Sequence, residues 1–507
     1  MHRPNLLPGT SRVGPSQLSL DNPDPVGTVR PCIKSPGMSQ RSRAATELVK
    51  SSHGAETSPG VGNDADGTST GPVKVQRQSA AFHANTGCSR CCEGVHSMRK
   101  SISAQSPLAN ASRICTGVGK GQGDGDPLIA PIAQSTTFTR TSVGSNPDHQ
   151  YSRVSNPTVA ALETALGDLE DAPQAVCFTT GLAAETALFL ALLKAGDHVV
   201  CGRSVYGGTT RLLQQLLPDL GIECTFVDST NPAEIERALR PATKLVFVET
   251  PSNPTLELTD IAAVAAIAHN AGALLAVDNT FLTPALQRPL DLGADISVYS
   301  TTKFIEGHSV ALGGAIVSSN EDVLAQLRFI RKCTGAIQTP FSAWLTINGL
   351  KTLPIRLAQQ SRTAESIARW LTSQDTIANV YYPGLNDPEA AALAKRQHPD
   401  ANGAVVSFEV RGGIEAGRRF VESLNLCTLV EHVGSVETLI THPASMTHAD
   451  VPLSERAEVG ITDGLLRLSV GLEPAETIIE DLTRGLEAIS LACTAAESEV
   501  EACPASL

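Results

Sequence analysis

Short apolar runs alternate with longer helical patterns along the chain from about residue 155. The predicted strands, with the small or polar residues that end them, are AVCFTTG, HVVCG, CTFVD, KLVFVET, LLAVDNT, ISVYSTTK and GGAIVSS. Helical patterns between them include residues 181–196 and 259–272. Nearly continuous apolar strands that alternate with helices are typical of a mostly parallel sheet covered on both faces. We therefore predict an α/β domain, in which ligands bind beyond the carboxyl ends of the strands.

A second, smaller region follows this domain. After about residue 355 come a long helical pattern (IRLAQQSRTAESIARWL), an apolar strand (VVSFEV) and the run RLSVGLE that starts at residue 467. This mixture predicts an α+β domain over residues 355–507, with a flexible tail after about residue 492. The large domain then covers residues 156–354.

The first 113 residues differ in composition from the rest of the chain. They contain 13 Lys+Arg and 7 Asp+Glu, whereas the remainder carries 26 and 45, and Phe82 is their only aromatic residue. Such a segment buries too little apolar surface to offset the entropy of ordering, so we predict disorder over residues 1–113. An organellar transit peptide is one interpretation of it, although its acidic residues disfavour this. A start codon assigned too early, with Met38 or Met98 as the first residue, is the other.

Two local patterns near the amino terminus resemble ligand sites. CSRCC at Cys88–Cys92 provides one C-x-x-C, with His83 and His96 nearby, but a structural zinc site needs a second pair of ligands. The run GVGKGQGDGDP from Gly117 lacks the Gly-Lys-Ser/Thr ending of a phosphate loop. We predict neither a metal site nor a nucleotide loop here.

The chain as a whole is acidic, with 52 Asp+Glu against 39 Lys+Arg and a net charge of −13. Nucleic acids and anionic membranes would repel it. It has no apolar stretch of the ~20 residues that span a bilayer and no secretory signal near Met1. Twelve cysteines without a repeating spacing indicate reduced thiols. These features predict a cytoplasmic protein without nucleic-acid or membrane partners.

Three residues at predicted strand ends indicate chemistry. Lys303 follows ISVYSTT, and a lysine in low-dielectric surroundings can lose its proton and form a Schiff base with an aldehyde. Asp278 follows LLAV, where a carboxylate could pair with a protonated pyridine nitrogen. Gly181 begins a helix whose N–H groups suit a phosphate. Each alone is better explained as a surface lysine, a helix cap or a common glycine turn. Their combination in this order is far more specific.

With these motifs the chain resembles the Cys/Met-metabolism enzymes that depend on pyridoxal 5'-phosphate (PLP). The matching motifs run from PIAQSTTF at residue 131 to RLSVGLE at residue 467, with a fainter match back to about residue 114. The resemblance implies a fold-type I, aspartate aminotransferase-like architecture, small amino-acid substrates and a homo-oligomer with shared active sites, usually a tetramer. It also makes residues 114–155 an arm that reaches the neighbouring subunit.

The same resemblance implies the cofactor contacts. Lys303 would carry PLP, Asp278 would pair with the ring nitrogen, and Tyr206 would stack on the ring. The remaining contacts would be Gly181, Leu182, Ser300 and Thr302 at the phosphate, Tyr151 and Arg153 from the neighbouring subunit, and Glu249 and Asn253 near the ring substituents.

The resemblance also implies the substrate contacts and the proton transfers. Arg467 would clamp the substrate α-carboxylate, for which a planar bidentate donor is well suited. Glu431 matches an acidic residue associated with cystathionine γ-enzymes, and His432 stands where the family normally has Ser. The freed Lys303 would move the Cα and Cβ protons, and Tyr206 would act as acid for the leaving group. The predicted substrate contacts are Arg467, Glu431, His432 and Asn253.

The implied reaction is replacement of the γ-substituent of an O-acyl-homoserine by cysteine, which is cystathionine γ-synthase activity. The alternatives are a cystathionine γ-lyase, which releases cysteine, 2-oxobutyrate and ammonia, and an O-acyl-homoserine sulfhydrylase. Gly208 stands where methionine γ-lyases usually have Cys, which argues against that activity. Gln150 and the run GHSVALGG also depart from the usual motifs. The intact set of Tyr206, Asp278, Lys303 and Arg467 argues against an inactive scaffold.

Overall fold

Two sheets organise the computed structural model, which describes residues 124–449 and 453–501. The first sheet contains β1 (Val176–Phe178), β2 (His198–Gly202), β3 (Glu223–Val227), β4 (Thr243–Glu249), β5 (Leu274–Asp278), β6 (Ile296–Tyr299) and β7 (Gly314–Ser318). Its order is β1-β7-β6-β5-β4-β2-β3, and β7 is antiparallel to both of its neighbours while the other pairs are parallel. The predicted mostly parallel α/β sheet is confirmed.

Helices cover both faces of this sheet because its strands are apolar on both sides. In β4, Leu245 and Phe247 join one buried cluster, whereas Val246 and Val248 join another on the opposite face. The helices that accompany the sheet are α1 (Pro157–Leu169), α2 (Gly181–Leu192), α3 (Gly207–Arg211), α4 (Pro232–Ala238), α5 (Ile261–Asn270), α6 (Thr283–Leu286), α7 (Glu321–Thr334) and α8 (Pro340–Leu350). Short irregular turns of helix occupy Leu212–Leu216, Pro218–Leu220 and Pro289–Leu292.

The second sheet contains β8 (Ile377–Tyr381), β9 (Val405–Val410), β10 (Thr428–Leu429), β11 (Leu439–Thr441) and β12 (Leu465–Ser469). Its order is β10-β11-β12-β9-β8, antiparallel except for the β10–β11 pair. The accompanying helices are α9 (Leu353–Leu371), α10 (Pro388–Gln397), α11 (Gly413–Glu422), α12 (Leu453–Glu458) and α13 (Ala475–Glu501), with one further turn at Pro443–Ser445. This is the smaller α+β arrangement that the sequence predicts, while the exact division into domains stays a prediction.

Polar contacts bring the second sheet to the carboxyl end of the first. The loop after β4 contains Asn253 and Pro254. Ser407 of β9 donates its hydroxyl to the Pro254 carbonyl at 2.6 Å, and Arg467 of β12 donates to the Asn253 side-chain oxygen at 2.7 Å. The guanidinium of Arg467 therefore lies beside the sheet edge at which a ligand site is expected.

Some sequence predictions concern residues outside the described ranges. These are the disorder over residues 1–113, the alternative starts, the Cys88–Cys92 pattern, most of the run from Gly117 and the first part of the predicted arm. Helix α13 continues to Glu501, so the backbone described after residue 492 is helical and the flexibility predicted there stays a prediction. Within the described ranges, no helix combines the length and apolar character needed to cross a membrane.

Candidate active site

Lys303 lies in the turn that follows β6. Its amide donates to the Ser300 carbonyl at 3.2 Å, and its own carbonyl accepts from the amide of Gly307 at 2.8 Å, so the backbone turns tightly around it. Burial, together with the charge of Arg467, lowers the pKa of the Lys303 amine to about 8. An appreciable fraction of this amine is therefore unprotonated near neutral pH, as a Schiff-base lysine requires.

Asp278 is the last residue of β5 and Glu249 is the last residue of β4, and the two are paired in register. Both side chains are buried. Burial raises the pKa of Asp278 to about 6, although hydrogen bonds from Thr280 oppose the rise. Burial and then the nearby Asp278 raise the pKa of Glu249 well above its usual range, and one Glu249 oxygen accepts from the Tyr206 amide at 2.7 Å. Asp278 thus has the buried position required of a partner for a cationic ring.

Glu185 is a third buried carboxyl group in this region, and it is not among the residues predicted from the sequence. It lies in α2 and accepts a hydrogen bond from the Thr209 hydroxyl at 2.6 Å. Burial first and Asp278 second raise the pKa of Glu185 to about 8. A lone acidic residue inside the apolar helix GLAAETALFLAL was the available signal.

The amino terminus of α2 forms a narrow cradle against Ser300. Thr180 caps the helix by accepting from the Ala183 amide, and the preceding amides of Gly181 and Leu182 have no acceptor among the described residues. A Cβ added at Gly181 would lie 2.8 Å from the Ser300 Cβ, so only glycine permits this approach. Free amides at a helix start suit a phosphate. The Thr302 hydroxyl, by contrast, already donates to the Gly313 carbonyl at 3.1 Å.

Tyr206 precedes α3, and the residue is 47% exposed. The ring lies directly against Gly208, where an added Cβ would overlap it, and the same Cβ would lie 3.2 Å from the Leu182 side chain. Because glycine has no Cβ, Gly208 leaves room for the Tyr206 ring in its observed position. The predicted stacking of this ring on PLP stays a prediction.

Arg467 is held by acceptors on several elements. Besides Asn253, its guanidinium donates to the Thr441 hydroxyl at 3.2 Å and to the His432 carbonyl at 3.3 Å. Its Nε is buried without a hydrogen-bond partner among the described residues. Burial lowers the pKa of Arg467 to about 10, which leaves the guanidinium charged near neutral pH. A buried cation with an unused donor is suited to a carboxylate ligand.

A cavity of about 610 Å³ opens beside Lys303 and His432. Its lining includes the acidic Glu431 and Glu437 and the apolar Val310 and Leu312. A larger cavity of about 790 Å³ lies between the segments around residues 255–260 and 380–396 and includes none of the predicted site residues. The described residues contain no group of three or more side chains able to hold a metal ion. Of these two cavities, the smaller one, beside Lys303, is therefore the one that predicted site residues line.

Tyr151 and Arg153 contact each other and the end of α7. The Arg153 guanidinium lies over the Tyr151 ring, 5.4 Å from its centroid, and donates to the Lys332 carbonyl at 2.7 Å. Among the described residues, no hydrogen bond joins either side chain to Lys303, Asp278 or Arg467. Within the described residues of one chain, a hydrogen bond thus joins the predicted residues Arg467 and Asn253, whereas this pair contacts the end of α7.

The residues present fit PLP. The glycine cradle that a Cβ would fill suits its phosphate, buried Asp278 suits its ring nitrogen, and the Lys303 amine, with its lowered pKa, suits its aldehyde. These groups come from the ends of β5, β6 and the start of α2. They meet because the carboxyl ends of neighbouring parallel strands share one edge of the sheet.

Comparisons with known proteins agree with this geometry. The family model described as Cys/Met metabolism PLP-dependent enzyme matches residues 115–487. A cystathionine gamma-lyase of Bacillus subtilis is 43% identical over 71% of this chain and 95% of that protein, and an L-methionine gamma-lyase of Fusobacterium nucleatum is 43% identical over 71% of this chain and 94% of that protein. Among solved structures, a cystathionine gamma synthase from Xanthomonas oryzae, in complex with aminoacrylate and cysteine, is 41% identical. The match to this structure covers 76% of this chain and 99% of the synthase chain, with a TM-score of 0.73.

Proposed function

Because the chain belongs to the Cys/Met-metabolism PLP-dependent enzymes, we propose that it is a cystathionine γ-synthase. It would replace the γ-substituent of an O-acyl-homoserine with the sulfur of cysteine. The observation that carries this proposal is the cavity beside Lys303, which has acidic groups on its wall.

The cavity favours a second amino acid as the partner substrate. Its volume of about 610 Å³ leaves room beyond Lys303, and Glu431 and Glu437 offer carboxyl oxygens to an ammonium group. Cysteine carries such a group, whereas sulfide does not. The same argument disfavours methionine as substrate, since the distal end of methionine is an uncharged thioether. The acidic wall therefore supports cystathionine chemistry over the other activities of the family.

Arg467, Lys303 and Tyr206 each have a defined task in this proposal. Arg467 holds the α-carboxylate of the homoserine substrate, using the Nε donor that is unpaired in the described residues. Bound PLP would supply an electron sink for the carbon from which a proton is removed. The amine of Lys303, with its pKa near 8, accepts that proton. Tyr206, half-exposed at the rim, donates a proton to the departing group.

A cystathionine γ-lyase is the second candidate. The 43% identity to a protein of that name favours it, and the acidic cavity would accept cystathionine as readily as cysteine. The two activities use the same residues and differ in whether cysteine enters or leaves.

We also propose that Tyr151 and Arg153 act in the site of a second copy of the chain. Among the described residues, neither side chain makes a hydrogen bond to Lys303, Asp278 or Arg467 of its own chain; Arg153 donates to the Lys332 carbonyl instead, and Tyr151 is 45% exposed. Arg153→Ala and Lys303→Ala proteins would each be inactive, but mixing them after partial unfolding should restore part of the activity. Mixtures that stay inactive, although they form mixed oligomers, would refute the shared site.

Product analysis tests the function. Protein loaded with PLP is given an O-acyl-homoserine with and without cysteine, and separately cystathionine alone, and the products are followed by mass spectrometry. Cystathionine that forms only when cysteine is present establishes the synthase. Release of cysteine, 2-oxobutyrate and ammonia from cystathionine alone establishes the lyase instead. The Lys303→Ala variant, which should lose its visible absorption band, serves as the control.

A further inference from the structure

The imidazole of His432 reaches the amine of Lys303. The His432 Nδ1 lies 3.2 Å from the Lys303 Nζ, although the two residues are 129 positions apart in the chain. His432 belongs to the loop between β10 and β11, and Lys303 belongs to the turn after β6. The contact thus joins the two sheets at the reacting amine.

Backbone contacts fix the loop that carries His432. Gly434 has a φ of +91°, and a Cβ added there would lie 3.0 Å from the Lys303 Cα and closer still to the Phe304 amide. The Val436 amide donates to the Gly307 carbonyl at 2.9 Å. The loop is therefore docked on the Lys303 turn at two points, so the position of the imidazole is set by the backbone and not by its own rotamer alone.

The protonation of both groups follows from their surroundings. Burial, with the charges of Lys303 and Arg467, lowers the pKa of His432 to about 4, so the ring is neutral near pH 7. An ammonium group only donates hydrogen bonds, so Nδ1 is the acceptor and the ring proton lies on Nε2. That Nε2 is buried without a partner among the described residues. Among the described residues, the Lys303 amine is therefore the only hydrogen-bond partner that orients the His432 ring.

Several other charged groups surround this pair. Arg467 faces it from β12, and its charge disfavours a second cation. The acidic groups nearby are Glu431 and Glu437 along the same cavity, and Glu249 and Asp278 at the ends of β4 and β5. None of them makes a hydrogen bond to the Lys303 amine in the described residues. His432 is therefore the group that can hold this amine in one place.

We propose that His432 is a positioning residue for Lys303, whose ammonium it holds through Nδ1. The proposal rests on the proposed use of Lys303 as the base of the reaction. After Lys303 has taken the Cα proton of the substrate, the resulting ammonium donates one hydrogen bond to Nδ1, which fixes the direction of its other two protons. Because the acceptor stabilises the charged form, His432 also raises the affinity of the amine for a proton.

Three substitutions separate this role from a packing role. His432→Asn keeps an acceptor oxygen close to the position of Nδ1, whereas His432→Leu removes every acceptor and keeps much of the volume. His432→Gln moves its amide outward to the position of Nε2, so it also lacks an acceptor at the right distance. A positioning role predicts that His432→Asn resembles wild type in the pKa of the Lys303 amine and in kcat, and that His432→Leu and His432→Gln depart from wild type to a similar extent.

The first measurement is the titration of Lys303 in the full chain freed of PLP. Acetylation by acetic anhydride is measured from pH 6 to pH 10, and mass spectrometry of the peptide that contains Lys303 gives the pKa of its amine. The pKa should fall by about one pH unit in His432→Leu, since a hydrogen bond to a charged group is lost, and should stay near the wild-type value in His432→Asn. An unchanged pKa in His432→Leu, or an equal fall in His432→Asn, would overturn the proposal.

Steady-state kinetics of the PLP-loaded protein provide the second measurement. We expect kcat to fall about tenfold in His432→Leu with KM within about twofold of wild type, and His432→Asn to recover most of the loss, as the removal of one such hydrogen bond predicts. A higher KM with an unchanged kcat would make His432 a substrate contact instead. If His432→Leu does not fold, His432→Gln takes its place in both measurements. The titration needs no substrate, so it stands even if the proposed reaction is wrong.

Discussion

Glu249 and Asp278 are direct partners in adjacent parallel strands, so two buried carboxyl groups end β4 and β5 side by side. Two negative charges in such a site repel each other, and burial disfavours both. The pKa of Glu249 is raised well above its usual range, and that of Asp278 is raised to about 6. The pair is therefore expected to hold one proton near neutral pH, on Glu249, and to leave Asp278 as the carboxylate that would pair with the ring nitrogen of PLP.

Substitution of each member by its neutral amide should have unequal effects. Asp278→Asn removes the charge that would pair with the ring, so we expect kcat/KM to fall by ~100-fold or more, the scale of losing one strong electrostatic partner. Glu249→Gln replaces a protonated acid with a neutral isostere that can still accept from the Tyr206 amide. Activity near pH 7 should then stay within about threefold of wild type. Equal losses in the two variants would contradict this assignment of the proton.

Glu185 should make the stability of the cofactor-free protein depend on pH. Its pKa is about 8 in the folded chain against an ordinary value of 4.5. Below pH 4.5 both the folded and the unfolded chain hold the proton, so Glu185 does not make the free energy of unfolding depend on pH there. Between about pH 4.5 and 8 only the folded chain keeps it, so the free energy of unfolding falls as the pH rises.

Glu185→Gln removes this titration and keeps an acceptor for the Thr209 hydroxyl. In urea unfolding, the variant should match wild type near pH 4.5 and gain stability over it as the pH rises, on the order of a few kcal/mol by pH 8.5. Glu185→Ala, which leaves Thr209 without its partner, should be less stable at low pH. If the free energies of unfolding of Glu185→Gln and wild type differ by the same amount at every pH in this range, Glu185 does not titrate within the range.

The sequence was sufficient to predict the elements that carry the proposed cofactor contacts, because these elements are local patterns. Apolar runs that end in Asp278 or lead to Lys303 indicate strand ends, and parallel strands bring such ends to one edge of a sheet. The resemblance to the family added Arg467, which no local pattern around RLSVGLE would have placed opposite Asn253.

Other parts of the site depend on distant contacts that a single sequence does not contain. The approach of His432 to Lys303 depends on a loop that docks through Gly434. The setting of Glu185 depends on Thr209, which lies 24 positions further along the chain and donates its hydroxyl to the Glu185 carboxyl group. Thr441, which holds Arg467, was missed for the same reason. These contacts are set by how two sheets pack, and periodicity does not report that packing.

Arg467→Lys tests the recognition of the substrate carboxylate. A lysine keeps the charge but loses the planar arrangement of donors that contacts Asn253 and Thr441 and leaves Nε for a ligand. We expect KM for the homoserine substrate to rise by ~10–100-fold, as the loss of charge-assisted hydrogen bonds predicts. Thr441→Val, which removes one of the anchors of Arg467, should raise KM by only a few fold. A KM that is unchanged in Arg467→Lys would assign the carboxylate to another residue.

Adjacent glycines at the start of α3 provide a matched test of Tyr206. A Cβ at Gly208 would overlap the Tyr206 ring, whereas a Cβ at Gly207 would meet only the Thr447 carbonyl oxygen at an ordinary 3.7 Å. Gly208→Ala should therefore displace the ring and lower kcat by ~10-fold or more, the scale of a lost proton donor, while Gly207→Ala stays close to wild type. Both variants gain the same helix propensity, so a difference between their kcat values reports on the ring and not on the helix. If Gly208→Ala keeps full activity, Tyr206 takes a different position during the reaction and its role as the acid for the leaving group is wrong.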